Sequence, residues 1–518
     1  MRALLVNPKA ESLFWSLPVS CKLTGSKTIS PPLGLITVAA LLPQWELRLA
    51  DMNCRRPAEA DWEWAEIVMI SATLAQKPSA LAVTREAKHR GKTVVLGGPY
   101  PTMMPDEVLA AGGDFCVRGE AENTVHLLLS ALTDGSRKVV IENDRRPDLS
   151  ASPVPRFDLL RLRDYQYLTI QTSRGCPFSC EFCDIESLYG RKQRYKKPDQ
   201  VVNELEALYR VGGRGPVFIS DDNFIGSRSN ACAILHKLTP WNKSLGEPFG
   251  FFTQASVNLG RDEELIDLLT AANFSTVFVG IESPDAEVLE NAGKHQNLRD
   301  PVVESVTNMN RNGLTVQASF IIGCDGEKEG LGDRICELVE KTNIPILMIN
   351  GLRALPNTRL WHRLRLEGRL REDADLGDQL SGAQPNFVPS RPEAEIVHDY
   401  MKAWDYLYEP SRFLARVYRY YLNMRPTRDA LAAKNGEMPS NGTKTCKRSF
   451  AARYFYATAF LRLVWRQGIR PSYRRQFWGQ LTGILRRNPS RALDYLIWCG
   501  MGEDLFRMRE MVLRRREL

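Results

Sequence analysis

Short apolar runs alternate with stretches of helical period from the first residues onward. Ala3–Asn7 (Ala-Leu-Leu-Val-Asn) is continuously apolar and ends in a turn signal, the pattern of a strand buried on both faces. Similar runs follow at Glu46–Asp51, Ile67–Ser71, Thr93–Leu96 and Asp114–Val117. Between them lie helical patterns such as Pro31–Leu42, opened by two prolines, and Ser79–Arg90. This rhythm predicts an open, doubly wound parallel sheet, a Rossmann-like α/β domain over residues 1–137. Asp144–Pro155, with Pro147, Pro153 and Pro155, breaks the periodicity and marks a linker, 138–165.

The alternation then resumes. Strands are predicted at Leu168–Ser173, Val217–Ser220, Gly250–Gln254, Thr276–Ile281, Val316–Ile322 and Ile346–Leu352, with helices at Pro198–Val211 and Asp262–Ala272 among those between them. Six βα units make a partial TIM-type barrel over 166–372, whose chemistry belongs at the carboxyl ends of its strands. Past Gln384-Pro385-Asn386 the chain becomes helical, basic and aromatic, and 373–518 reads as a helical C-terminal domain.

Charge sharpens that division. The formal net charge is +8, yet residues 401–518 alone carry 24 Lys and Arg against 9 Asp and Glu. The basic excess therefore lies wholly in the tail. Its plain reading is a helical domain packed on the barrel with arginines outside; its sharper one is a surface for anionic membrane, with nucleic acid less favoured. Phe460, Leu463 and Val464 share one helical face there. The longest uncharged apolar run, Pro31–Trp45, is too short to span a bilayer. Eleven cysteines without pairwise spacing, and no signal-peptide pattern, predict a reducing cytoplasm, with peripheral membrane contact through the tail as its one variation.

The most specific chemistry is Arg174-Gly175-Cys176-Pro177-Phe178-Ser179-Cys180-Glu181-Phe182-Cys183. Three cysteines spaced C-x3-C-x2-C can each give a thiolate to one iron–sulfur cluster, leaving one iron of a cubane open for substrate. A zinc site wants a fourth ligand nearby, and His126 and His236 are far off in sequence. The stretch resembles the signature of the radical S-adenosylmethionine (SAM) superfamily. That resemblance implies a [4Fe-4S] cluster on Cys176, Cys180 and Cys183, SAM chelated at the open iron, and Phe182 near its adenine. It also implies SAM contacts after later strands: Asp222 for the amino group, Gln254, Glu282 for the ribose, and Ile322 for the adenine. A basic run, Lys192, Arg194, Lys196 and Lys197, reads as a solvated face.

In the first domain, small and hydroxyl residues cluster where strands end: Ser71 and Thr73, then Gly97, Gly98 and Pro99, then Gly119 and Glu120. In open α/β sheets, ligands bind there; tight strand-to-helix turns use the same residues. Pro-Pro-Leu-Gly-Leu (31–35) and Gly-Gly-Pro (97–99) resemble the cobalamin-binding domain that precedes one class of radical SAM core. Asp-x-His-x-x-Gly, whose histidine ligates cobalt in many cobalamin proteins, is absent; His89 and His126 lie in helical patterns.

Taken together, residues 1 to about 400 resemble cobalamin-dependent (class B) radical SAM enzymes, the hopanoid C-2 methylase branch in particular. The shared pieces include Cys-Asp-Ile, Tyr-Gly-Arg, Asp-Asp-Asn-Phe-Ile-Gly (221–226), Gly-Ile-Glu and Ala-Leu-Pro-Asn-Thr. The resemblance implies a C-methyltransferase: a 5′-deoxyadenosyl radical takes hydrogen from an unactivated carbon of a small molecule or lipid, and methylcobalamin supplies the methyl group. It implies an electron donor such as flavodoxin or ferredoxin. Two alternatives are a non-methylating radical enzyme (cyclisation, rearrangement or C–heteroatom bond formation) and a tRNA methylthiotransferase with a second cluster on Cys21, Cys54 and Cys116.

Overall fold

The structure, a computed structural model, describes residues 1–10, 14–371, 384–436 and 450–514, with backbone only for 450–456. The expected boundary at 372–373 and the last four residues of the tail lie outside these ranges.

Six parallel strands form the first sheet: β1 (Arg2–Asn7), β2 (Glu46–Asp51), β3 (Ile67–Ser71), β4 (Thr93–Gly97), β5 (Phe115–Val117) and β6 (Val139–Ile141), ordered β2-β1-β3-β4-β5-β6. Alternate residues divide between two cores. Leu4, Val6, Val68, Ile70, Val94 and Leu96 face one helix layer; Ala3, Leu5, Ile67, Met69 and Val95 face the other. Burial on both faces is why these strands read as unbroken apolar runs. β6 falls in the stretch expected to be linker. Its three residues follow Ser136-Arg137-Lys138, too short and too close to charges to stand out by periodicity, and pairing with β5 secures them.

The second sheet is an open half-barrel of six parallel strands in chain order: β7 (Leu168–Ile170), β10 (Gly215–Ile219), β11 (Phe249–Ala255), β12 (Phe274–Glu282), β13 (Thr315–Ile322) and β14 (Leu347–Gly351). A two-residue antiparallel pair, β8 (Ser173–Arg174) with β9 (Arg194–Tyr195), brackets the cysteine loop. It turns part of the basic run inward. Lys196 is buried on Glu204, and Arg194 reaches Glu120, so these two side chains leave the expected solvated face.

The C-terminal helices share one hydrophobic core with the barrel. Tyr420 accepts from the Val316 N–H at 2.8 Å, and Tyr408 from the Leu347 N–H at 3.1 Å, so both hydroxyls cap the starts of barrel strands. Buried Arg416 donates to the carbonyls of Ile344 and Leu407, at 2.9 and 2.8 Å. The domain thereby closes the amino-terminal end of the barrel and leaves the carboxyl end to the first domain. Phe460 and Leu463 share the expected face, bordering one apolar groove with Leu463 buried and Phe460 at its exposed edge.

Candidate active site

Beyond β7 the chain is shaped by two adjacent carboxylates. Asp221 is wholly buried and accepts from the N–H groups of Thr172 and Ser173 (2.6 and 3.0 Å) and from the Ser173 hydroxyl (2.7 Å). Its bonding is spent on the loop. Asp222 accepts from the Gly175 N–H at 2.8 Å. Gly175 has φ 90°, and a Cβ there would meet the Gly190 carbonyl at 2.8 Å, so only glycine turns the chain into Cys176. Burial pushes the Asp222 carboxyl up to about 7, against the Gly175 hydrogen bond and helped by Asp221.

Cys176, Cys180 and Cys183 are free thiols, partly exposed, on a segment without regular structure. Burial raises the pKa of Cys176 and Cys183, and the charges of their neighbours, including the other thiols of the loop, raise them further. Among the described residues no Cys, His, Asp or Glu group is already gathered at metal-binding geometry. Three thiols on one short loop are the donor set that a three-thiolate cluster takes.

Around the loop stand residues from the later strands. Glu282, at the end of β12, is a buried non-glycine residue at φ 68°, a backbone state that costs about 1–3 kcal/mol and is concentrated at functional sites. Its carboxylate accepts from Lys294 at 2.6 Å and from the Ser319 hydroxyl at 2.9 Å. The Lys294 ammonium lies 6.0 Å from the Phe182 ring centre. Burial disfavours that ammonium, but Glu282 and the Cys180 thiol raise its pKa above the ordinary value. Gln254 lies near the end of β11, its carbonyl accepting from the Phe224 N–H at 3.0 Å.

Ile322 ends β13, where the resemblance expects backbone against the adenine. Its side chain is fully buried in the barrel core, and its carbonyl accepts from the Leu352 N–H at 2.7 Å. Strand alternation sends the preceding residue, Ile321, toward Phe182 instead. The turn after β13 is held by Glu327, whose carboxylate accepts from the N–H groups of Gly323 and Cys324 at 2.8 Å and pairs with Arg391 at 3.2 Å.

Burial pushes the Glu327 carboxyl from 4.5 up to about 7. Between those values the folded protein holds a proton that the unfolded chain has released, so stability falls as pH rises through this window. Glu204, also pushed by burial to about 7, acts in the same direction. Denaturation midpoints are expected to decline from pH 5 to pH 7.5, and Glu327→Gln to flatten that decline; an unchanged slope would refute the assignment.

The strand ends of the first domain meet the cysteine loop across a cavity of about 280 Å³. Ser71, Gly97, Gly98, Pro99, Gly119 and Glu120 all line it, as do Gln171, Arg174 and Ser220 from the barrel. Thr73 stands apart: its hydroxyl donates to Gln76 at 3.0 Å, closing the turn after β3. Neither His89 nor His126 lines the cavity, and both are exposed on helices. Gly98 (φ 96°) serves its turn, since a Cβ would meet Ser71 Oγ at 2.8 Å. Gly34 differs, because a Cβ there would meet nothing within 4 Å; Gly119 borders the same open space, but its φ of 79° also calls for glycine. Small residues bordering open space suit a large flat ligand approached by backbone, which is what a corrinoid without a histidine ligand requires.

Buried charges lock the two domains together at this cavity. Arg174 donates to Glu120 at 2.7 Å and to Glu122 at 2.8 and 3.0 Å, and Arg194 pairs with the other oxygen of Glu120 at 2.7 Å. Burial works against the Arg174 charge, but the two carboxylates raise its pKa; Arg174 in turn holds Glu122 below the ordinary carboxylate range despite burial. Glu120 thus borders the cavity with both oxygens engaged. Sequence reasoning missed Lys294, whose surroundings carry no motif, and Gln171 and Ser220, which stand just ahead of the Arg174–Cys183 and Asp221–Gly226 stretches. Arg174 stood in plain view beside the cysteines, but nothing local paired it with residues some fifty positions away.

The cysteines proposed for a second cluster are engaged separately. The Cys21 thiol donates to Gln166 at 3.6 Å, the Cys116 thiol to the Pro101 carbonyl at 3.4 Å, and Cys54 lies beside Asp51 and Tyr165.

A half-barrel with three free thiols on the loop after its first strand, joined across a cavity to a doubly wound sheet, is a two-domain α/β core with room for a ligand between its domains. Three family models match the chain. The radical SAM superfamily matches residues 170–339, the B12 binding domain 23–129, and a domain of unknown function, DUF4070, 358–517. An uncharacterized methyltransferase of Synechocystis sp. is 43% identical, covering 99% of this chain and 92% of that protein. The hopanoid C-2 methylase of Rhodopseudomonas palustris is 33% identical, covering 92% of this chain and 88% of that one. Among solved structures, the radical SAM methyltransferase TsrM of Kitasatospora setae, with cobalamin and [4Fe-4S] cluster bound, shares the fold at TM-score 0.59 and 16% identity, covering 98% of this chain and 99% of that chain. The chain belongs to the cobalamin-dependent radical SAM family. It is an enzyme, and its cofactors are an iron–sulfur cluster, S-adenosylmethionine and cobalamin.

Proposed function

We propose that this enzyme is a C-methyltransferase that methylates an unactivated carbon of a polycyclic lipid of the hopanoid kind. The observation that carries the reading is the shared cavity. Gly97, Gly98 and Pro99 of the first domain line the same space as Gln171 and Arg174, which lead into the cysteine loop. A methyl carrier there lies beside the place where SAM is cleaved. Support for the substrate class comes from the relative named hopanoid C-2 methylase, similar along 92% of the chain.

When bound, the cluster supplies the electron that cleaves SAM, and the corrinoid carries the methyl group. The rest falls to this chain. Cys176, Cys180 and Cys183 hold three irons. Asp222, fixed by the Gly175 N–H, accepts from the SAM ammonium, and Phe182 packs against the adenine. Glu282, locked by Lys294 and Ser319, receives the ribose hydroxyls, and Gln254 borders the same space. Ser71, Gly97, Gly98, Pro99, Gly119 and Glu120 frame the corrinoid. Arg174 and Arg194 hold the domains together beside the cavity. The electron comes from a flavodoxin or ferredoxin, and the lipid is collected at a membrane surface by way of the basic tail.

The test is anaerobic purification with cobalamin supplied, followed by an absorption spectrum and product analysis with lipid extract. Bound corrinoid, 5′-deoxyadenosine and S-adenosylhomocysteine, with a methylated lipid, are expected. Deoxyadenosine without S-adenosylhomocysteine would replace methyl transfer by a non-methylating radical reaction.

A further inference from the structure

A second cavity lies at the opposite end of the barrel. It measures about 380 Å³ and is a half-open groove bordered by the helices Pro18–Thr24, Phe450–Leu463 and Ala492–Arg514. Its walls are apolar, with Leu23, Leu463, Leu496 and Met501 among them, and Phe460, Leu493 and Ile497 stand exposed at its edge. Gln166, which also lines it, precedes β7, whereas the cysteine loop follows the other end of that strand. Between the two ends the rings of Tyr167, Phe218 and Phe252 pack at 4.9–6.0 Å. The cavity is therefore separate from the reaction site.

The surface beside it is unusual. Leu461, Trp465 and Ile469, one turn apart, are 64, 56 and 50% exposed. The helix Arg474–Arg487 turns Phe477, Leu481 and Ile484 inward and presents Arg475, Trp478, Leu485 and Arg486 on its outer face. Trp478 donates to the Gly468 carbonyl at 2.9 Å, joining the two exposed stretches. Arg466 is paired with Glu503, but Arg470, Arg475, Arg486 and Arg487 have no carboxylate partner among the described residues.

Exposed tryptophan, aliphatic side chains and unpaired arginine on one face suit the headgroup layer of an anionic bilayer. A nucleic acid would use the arginines and the indoles but leave Leu461, Ile469 and Leu485 in water. A second copy would bring two arginine-rich faces together. We propose that this face docks on an anionic lipid bilayer and that the cavity takes one hydrocarbon chain of a membrane lipid. This holds whether or not the methylated substrate is a lipid. Among the described residues no helix is long and apolar enough to cross a membrane, so the contact is with one surface.

The test is flotation of the full chain with vesicles of phosphatidylcholine, alone or with one quarter phosphatidylglycerol. Binding to the anionic vesicles only, weakening with salt, is expected. The double variant Arg475→Gln/Arg486→Gln should weaken it about 25-fold, each arginine near such a surface being worth about fivefold. Trp465→Ser/Ile469→Ser should abolish it without changing SAM cleavage in detergent-free buffer. For the cavity, cis-parinaric acid is expected to fluoresce on binding, with affinity reduced at least tenfold by Gly500→Met, which fills the space, and also by Ile497→Ser at the mouth. Equal affinity for both vesicle types would overturn the docking site; so would a dimer in sedimentation velocity that Trp465→Ser dissociates. Parinaric acid binding unchanged in both cavity variants would overturn the chain site.

Discussion

Replacing Cys180 with alanine is expected to leave a folded protein that retains no iron and forms no 5′-deoxyadenosine. The thiol is partly exposed, so its loss opens no cavity in a packed core. What it removes is one of the three donors on the loop. Two thiolates cannot hold a cubane with a single open iron, and Lys294 and Glu282 nearby are committed to each other at 2.6 Å. Cys324→Ala is the informative comparison. That cysteine is buried in the hydrophobic cluster beside Phe182, and burial pushes its thiol well above the ordinary range. It behaves as a small apolar side chain, so its loss should cost about 1 kcal/mol of stability and leave iron bound. Full iron content in Cys180→Ala would overturn the cluster assignment.

Arg174→Ala is expected to cost about 3–5 kcal/mol, because it strands two carboxylates in the interior. Glu122 loses the group that keeps it ionised, and Glu120 keeps only Arg194. The contact that fails is the one joining the two domains beside the cavity, so cobalamin retention should fall along with the denaturation midpoint. Arg174→Lys separates charge from geometry. An ammonium preserves the charge but cannot present two parallel N–H bonds to Glu122 while reaching Glu120, and an intermediate loss is expected. A midpoint unchanged in Arg174→Ala would show that this network adds nothing to stability.

Both effects show why some of the site was legible in advance and some was not. The cysteines are close along the chain, and a spacing of this kind carries its chemistry with it. The strand ends carrying Ser71, Gly97 and Gly119 were legible for another reason: strands buried on both faces are unbroken apolar runs, and the small polar residues begin where burial stops. β6 escaped because three residues between charged neighbours give no period to detect. Which of the two alternating residues at the end of β13 turns its side chain toward Phe182 was not legible, because naming a strand end does not say which face each residue takes; it is Ile321.

The order of strands and helices, the basic tail and the three-thiolate loop follow from local pattern, since each depends on residues within a turn or two of one another. The inward turn of Arg194 and Lys196, the pairing of Lys294 with Glu282, and the meeting of Gly97–Pro99 with Gln171 at one cavity were decided by tertiary structure. Each joins residues on elements that only packing brings together. The tail shows the same division. Its charge was plain from composition, but whether its arginines would be buried, paired or left facing outward depended on which helix faces the barrel covered.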